Sequence, residues 1–283
     1  MNKKLSNLSQ LIGYDDSSSQ LNEVNEKCGT SGKLGGNIAV EACNVTKSFY
    51  KDSNEKIIVL DNISFYIKQN DCILIAGENG SGKSTLMHII ANLTKADAGK
   101  VRIFNNEKIG IVFQDADATI LGETVIEDVL FSLKNISTKK ILYNKKDIEK
   151  KAEEYLKKVG LNGKEKFSSR FLSGGEKRKL SVASILALER KIIIFDEPYA
   201  NLDYNGVRCV NEIILMLKKT NHTVIILTHE LEKSLGLCNR FVVLHKGKIV
   251  FDGTPQKGVN KNLEIWGIKN PLVSYTKLKD LVW

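Results

Sequence analysis

The segment that most constrains this chain runs from Cys72 to Leu93. Cys72–Ala76 is a continuous apolar run of strand length, Gly77-Glu78-Asn79-Gly80-Ser81-Gly82-Lys83-Ser84-Thr85 follows it, and Lys83 to Leu93 has the pattern of a helix. A GxxxxGK[ST] spacing between a strand and a helix makes a phosphate cradle, because glycines let the backbone curl until its N–H groups point inward. The helix start adds its positive dipole end. Gly77, Asn79, Gly80, Ser81, Gly82 and Thr85 are the candidate nucleotide-binding positions around Lys83 and Ser84. Lys83 would neutralise β and γ phosphates, and the Ser84 hydroxyl would sit on Mg²⁺. An ordinary glycine turn is the competing reading, and the flanking strand and helix disfavour it.

A second feature is Ile192-Ile193-Ile194-Phe195-Asp196-Glu197, a buried parallel strand that delivers two acids at its C-terminal end. Ligands of open α/β sheets bind at that end. Asp196 would hold Mg²⁺ through water, and Glu197 would polarise an attacking water. Alone, the pattern is better read as a strand ending in a solvated turn; the glycine loop is what gives it chemistry.

The remaining periodicity predicts an α/β chain, an alternating core around the glycine loop with two additions. Ile38 to Val45 and the alternating Ile58, Leu60, Ile63, Phe65 and Ile67 predict a subdomain of half-buried antiparallel strands. From about 115 to 172 the pattern turns helical, with Val125, Val129 and Leu133 on one face and Ile148, Tyr155, Leu156 and Val159 on another, ended by Gly160. Helix 173–188, strand 191–195, helix 206–219, strand 223–227 and strands near 241–244 and 248–251 then resume the alternation. Residues 1–36, rich in Ser, Asn, Gln and Gly, predict a disordered arm ahead of a main domain at 37–255.

Composition narrows the class. No apolar run approaches the roughly 18 to 20 residues needed to span a bilayer, and Met1 to Tyr14 carries no leader pattern, so a cytosolic chain is expected. The five cysteines are scattered and lack CxxC spacing, which disfavours both zinc and disulfides. The net charge of +9 is spread along the chain. That suits a lysine-rich soluble surface better than an anionic membrane face or a nucleic-acid site, and no nucleic acid is expected.

Leu172-Ser173-Gly174-Gly175-Glu176, at a helix start shortly before the Asp196-Glu197 strand, separates this chain from kinases and small GTPases. With the glycine loop and the paired acids in this order, the chain resembles the nucleotide-binding subunit of ATP-binding cassette (ABC) transporters. The resemblance implies a P-loop NTPase (RecA-like) core, with the antiparallel strands as a β subdomain and the helical insertion as that family's signature subdomain. The resemblance implies ATP and Mg²⁺ as ligands and ATP hydrolysis as the reaction, with Glu197 catalytic. It implies that Ser173, Gly174 and Gly175 contact ATP held by a second subunit, and that Gln114 touches Mg²⁺ and the attacking water. His229, after Ile225-Ile226-Leu227-Thr228, matches the residue that contacts the γ-phosphate, and Asp203, in Asn201-Leu202-Asp203, matches the loop linking two ATP sites. Phe49 sits where the family places an aromatic on adenine; Tyr50 is the adjacent alternative and simple packing the competing reading. Tyr199, Asn201 and Tyr204 depart from the family's common Thr, Gly and Pro, and Glu176 replaces a common Gln; none removes a catalytic group.

Phe113-Gln114, an acidic spacer and Thr124-Val125-Ile126-Glu127-Asp128-Val129-Leu130-Phe131 resemble the energy-coupling factor subfamily. So does the end from Leu263 to Val282, which implies a short helical tail at 256–283. The subfamily implies an importer of a vitamin or transition metal ion. In it, two ATPases on the cytoplasmic face of the membrane drive a transmembrane coupling protein and a substrate-capturing membrane protein. Ile120, Leu121 and Val125 are then expected to line or support the groove for the membrane partner, core packing being the alternative for each. A soluble ABC ATPase of iron–sulfur assembly, or the ATPase of another ABC transporter class, is the competing function.

Overall fold

The computed structural model describes residues 37–51, 55–115, 117, 119–136 and 145–272. The expected arm at 1–36 and the end of the tail lie outside the described residues.

β1 (Ile38–Lys51), β2 (Glu55–Lys68) and β4 (Ala98–Ile103) form an antiparallel sheet in the order β2-β1-β4. β3 (Cys72–Ala76) leads through the glycine loop into α1 (Lys83–Ile90). With β5 (Ile109–Val112), β6 (Ile192–Asp196), β7 (Thr223–Leu227), β8 (Arg240–His245) and β9 (Lys248–Gly253), β3 builds a six-stranded sheet ordered β5-β6-β7-β3-β8-β9. Only the β8–β9 pairing in that sheet is antiparallel.

The parallel strands are buried on both faces, which is why they read as unbroken apolar runs. Ile193 and Phe195 of β6 face one way with Val224 and Ile226 of β7, into the core shared with α4 (Gly174–Ala187) and α5 (Tyr204–Lys219). Ile192, Ile194, Ile225 and Leu227 face the other way, against Leu86 and Met87 of α1 and Val40, Leu60 and Phe65 of the antiparallel sheet. The insertion supplies α2 (Val125–Ile136) and α3 (Lys145–Lys158). Val125, Val129, Leu133, Leu156 and Val159 are buried as their spacing predicts, while Ile148 and Tyr155 pack against that core from its edge.

Boundaries differ where capping decides them. The helix after the glycine loop stops at Ile90, three residues before the expected end, and Asn92 just beyond takes a positive φ of 60°. α5 begins at Tyr204 because the Asp203 carboxylate accepts the Gly206 N–H and fixes the N-cap. Past β9, α6 (Pro255–Gly258) and a 3₁₀ turn at Leu263–Trp266 fold back. Leu263 and Ile268 pack there with Leu74, Phe241 and Phe251. Cys43 is disulfide-bonded, contrary to the expectation from cysteine spacing, whereas Cys72, Cys209 and Cys238 are free thiols. Among the described residues no helix is long and apolar enough to cross a membrane.

Candidate active site

The glycine loop is wedged between β8 and β2. A Cβ on Gly77 would lie 2.2 Å from the Leu244 carbonyl oxygen, and Gly82, at φ +103°, would meet the Val59 carbonyl oxygen at 2.8 Å. No other residue fits either position without moving backbone. Within this loop the Ser81 Oγ is buried without a hydrogen-bond partner. Lys83 is only 6% exposed and folds back, donating to the carbonyl oxygens of Gly77 at 2.7 Å and Glu78 at 3.1 Å. Burial pushes its ammonium pKa down, outweighing the pull of Glu197, Asp196 and Glu78.

Strand register brings the acids to that lysine. β6 pairs with β7 so that Asp196 lies beside Leu227, and the Glu197 N–H donates to the Leu227 carbonyl at 2.9 Å. His229, two residues on, therefore meets Glu197, with Nδ1 3.2 Å from Oε1. The same oxygen lies 3.8 Å from Lys83 Nζ. Ser84 Oγ donates to Asp196 Oδ1 at 3.3 Å. Burial, and then Glu197 next door, raise the Asp196 pKa against the hydrogen bond from Ser84. Lys83, Ser84, Asp196, Glu197 and His229 thus form one cluster at the C-terminal end of the parallel strands.

The cluster fits its expected ligands on chemistry of its own. Two oxygen donors, Ser84 Oγ and Asp196 Oδ1, converge as a small hard cation requires. The unpartnered Ser81 hydroxyl and the buried Lys83 ammonium both gain from phosphate oxygens.

The other expected residues stand apart from this cluster. Ser173 is the N-cap of α4: its Oγ accepts the Glu176 N–H at 3.3 Å while the Glu176 carboxylate accepts the Ser173 N–H at 3.0 Å. Lys164 first, and then that N–H, hold the Glu176 pKa below the usual carboxylate range. Gly174 and Gly175 pack on Leu202, Cys209 and Gly206, so signature segment and Asp203 form a second group across the α4–α5 contact. Phe49 lies on β1, 47% exposed, with Lys47 Nζ 5.4 Å from its ring centroid. Gln114 follows β5 with its side chain exposed, and its carbonyl accepts from Arg178 at 3.1 Å.

Two functional neighbours escaped the sequence reading. Arg178 is buried on α4 and also reaches the Ala200 carbonyl at 3.4 Å, tying the Gln114 loop to the segment after Glu197. Its signal was a cation in the register of buried Gly175, Val182 and Ile185. Asp128, noted only as part of a motif, is buried and accepts from the N–H groups of Leu121 and Gly122 at 2.8 and 3.1 Å and from Ser184 Oγ at 2.6 Å. It holds the loop so that Leu121 stands 67% exposed, Ile120 packs on the core and Val125 is wholly buried.

A glycine-loop lysine beside two carboxylates at the C-terminal end of parallel strands defines a P-loop nucleotide hydrolase. Residues 60–200 match the family described as ABC transporter. The chain is similar to the energy-coupling factor transporter ATP-binding protein EcfA of Carboxydothermus hydrogenoformans, at 35% identity covering 84% of this chain and 89% of that one. It is also similar to EcfA2 of Thermotoga maritima, at 36% identity covering 78% of this chain and 85% of the other. Among solved structures, cbiO1 of Clostridium perfringens, described as part of the ABC transporter complex cbiONQ, aligns with a TM-score of 0.69 at 28% identity, covering 81% of this chain and 94% of that one. A dimeric ATP-binding cassette in a post-hydrolysis state, bound to ADP and Pi, aligns with a TM-score of 0.66 at 29% identity, covering 76% and 98%. The chain belongs to the ATP-binding subunits of the ABC transporter family, and it is an ATP-hydrolysing enzyme.

Proposed function

We propose that this chain is the ATPase of an energy-coupling factor importer that takes up a vitamin or a transition metal ion. It acts at the cytoplasmic face of the membrane as a peripheral subunit. Its partners are a second ABC ATPase, a transmembrane coupling protein and a substrate-binding membrane protein.

The observation that carries the hydrolytic assignment is the position of one Glu197 oxygen, 3.2 Å from His229 and 3.8 Å from Lys83. As the triphosphate enters, Lys83 exchanges the carbonyls of Gly77 and Glu78 for phosphate oxygens, which offsets the desolvation of its buried ammonium more fully than Glu197 at 3.8 Å does alone. Gly80, Ser81, Gly82 and Thr85 wrap the phosphates with Asn79, and Phe49 covers the adenine. Ser84, Asp196 and Gln114 hold Mg²⁺, whose contribution is to neutralise charge on the phosphates. Glu197 orients and polarises the attacking water, and His229 steadies that carboxylate beside the γ-phosphate. Ser173, Gly174 and Gly175 complete the ATP site of the second subunit, with Asp203 at the junction between the sites.

The transport assignment is supported by similarity to proteins named as energy-coupling factor ATPases over most of the chain, and by the exposed Leu121 on its Asp128-braced loop. Recovery of the protein with membranes, and mass-spectrometric identification of the membrane proteins that copurify, tests it. Leu121→Glu should release the protein from membranes while basal ATPase stays within about twofold. A wild-type protein found wholly in the soluble fraction with iron–sulfur assembly factors, and indifferent to that substitution, would favour the competing function.

A further inference from the structure

Glu197 has a φ of +45°, a left-handed conformation that a glutamate keeps only where its surroundings over-determine it. The pairing with Leu227 fixes the chain ahead of it; behind it the Ala200 N–H donates to the Glu197 carbonyl at 3.3 Å, Arg178 holds the Ala200 carbonyl, and the segment is anchored in the core by Tyr199. This side chain is 1% exposed, and its phenol O–H donates to Asn211 Oδ1 on α5 at 2.8 Å. Asn211 Nδ2 in turn donates to the Lys233 carbonyl at 2.9 Å. Lys233 ends the 3₁₀ turn Leu231–Lys233 that begins two residues after His229, and Leu231 anchors that turn in the core. Lys233 Nζ pairs with the Glu230 carboxylate and lies 6.0 Å from the Tyr199 ring centroid. Burial raises the phenol pKa, so Tyr199 remains a hydrogen-bond donor throughout the working pH range.

A phenylalanine would fill the same apolar space without the cost of burying a hydroxyl. The hydroxyl is instead spent on an amide whose other end is spent on the backbone of the 3₁₀ turn that follows His229. Beyond the strand pairing at Leu227, the segments carrying Glu197 and His229 are therefore joined twice more, once by their own 3.2 Å contact and once through α5. We propose that Tyr199 is a positioning residue for ATP hydrolysis, and that the Tyr199–Asn211–Lys233 chain of hydrogen bonds holds the Glu197 carboxylate against His229 without touching nucleotide. The proposal rests on the roles assigned above to Glu197 and His229.

Steady-state ATP turnover, with thermal unfolding as a control for folding, tests it. Tyr199→Phe removes one oxygen and should lower kcat roughly 5- to 50-fold, as a small misplacement of a catalytic group does, with KM for ATP within about twofold. Asn211→Leu breaks both links, and the double variant should be no slower than the worse single one, because both act on one chain. In a His229→Ala background Tyr199→Phe should change the residual kcat by less than about twofold. A Tyr199→Phe protein that loses stability but keeps kcat, or losses that multiply in the double variant, would overturn the relay. If Glu197→Gln or His229→Ala itself leaves turnover intact, the underlying site assignment fails instead.

Discussion

The phosphate loop and the signature segment are both helix starts equipped with glycines and a serine, yet they handle their polar groups in opposite ways. In the loop, Ser81 Oγ has no partner and Lys83 is buried on backbone carbonyls, and at the end of β6 facing it Asp196 is pushed toward its neutral form and Glu197 is held at positive φ. In the signature segment, Ser173 and Glu176 satisfy each other in a capping box, Lys164 pairs with Glu176, and Asp203 caps the next helix. The first region stores unsatisfied polarity that a ligand can relieve. The second is locally complete, so in the role proposed for it, what it would offer a second subunit's nucleotide is a preformed surface: a helix N-terminus and a hydroxyl proton that the cap leaves unused.

Removing a group from the first region should therefore damage chemistry far more than stability. Glu197→Gln is expected to preserve ATP binding and cut turnover by about two to four orders of magnitude, measured as phosphate release under saturating ATP. Retention of half the wild-type rate would remove Glu197 from the mechanism. Lys83→Ala comes next: loss of a charge-assisted contact worth roughly 1.5–3 kcal/mol should weaken ATP binding about 10- to 150-fold by titration calorimetry. Equal affinity in a folded variant would show that the lysine stays on its loop carbonyls when nucleotide binds.

In the second region the order should reverse. Ser173→Ala should cost about 1 kcal/mol of stability through the lost cap, whereas Ser173→Asp, which caps as well as serine, should unfold within about 0.5 kcal/mol of wild type. Yet the added negative charge should stop ATP-dependent dimerisation in a Glu197→Gln background, read by size exclusion. Dimers that survive Ser173→Asp would leave the segment only its structural role.

The sequence displayed this division unevenly. The strands that lead into the glycine loop and the paired acids were both legible because strands buried on two faces are written as apolar runs, and the acids at the end of Ile192–Phe195 stand out against them. Helix spacing likewise exposed Val125, Val129 and Leu133 of the insertion. What could not be read was pairing across the chain. Arg178 under the Gln114 loop, Asp128 under Leu121 and the link from Tyr199 through Asn211 to Lys233 each join residues 7 to 64 positions apart. Only tertiary packing creates such partners. Tyr199 showed itself in the sequence as a departure from the family pattern, which marks a position without saying what its hydroxyl reaches.

The smallest effect sharpens the contrast most, since it reads stored polarity directly as stability. Asp196 has a folded-state pKa above its usual 3.8, with burial as the leading cause. The native state therefore holds that proton more tightly than the unfolded chain does. The penalty it places on the nucleotide-free protein is full above the raised folded-state pKa and vanishes as pH falls below the unfolded value. Asp196→Asn removes the charge, so at neutral pH the nucleotide-free variant should melt above wild type by roughly 2–4 °C, the shift that about 1 kcal/mol produces in a protein of this size. The gap should close as pH falls toward 4, about the usual carboxylate range, while other carboxylates destabilise both proteins alike. Adding Mg²⁺ and ATP should reverse the ranking, because only wild type then gains a counter-charge for the buried carboxylate. A gap that is absent or reversed at neutral pH would mean that the carboxylate is already stabilised in the nucleotide-free state and that the loop and signature regions do not differ in the way their hydrogen bonds indicate, and one that persists unchanged at low pH would show that it does not arise from the charge of Asp196.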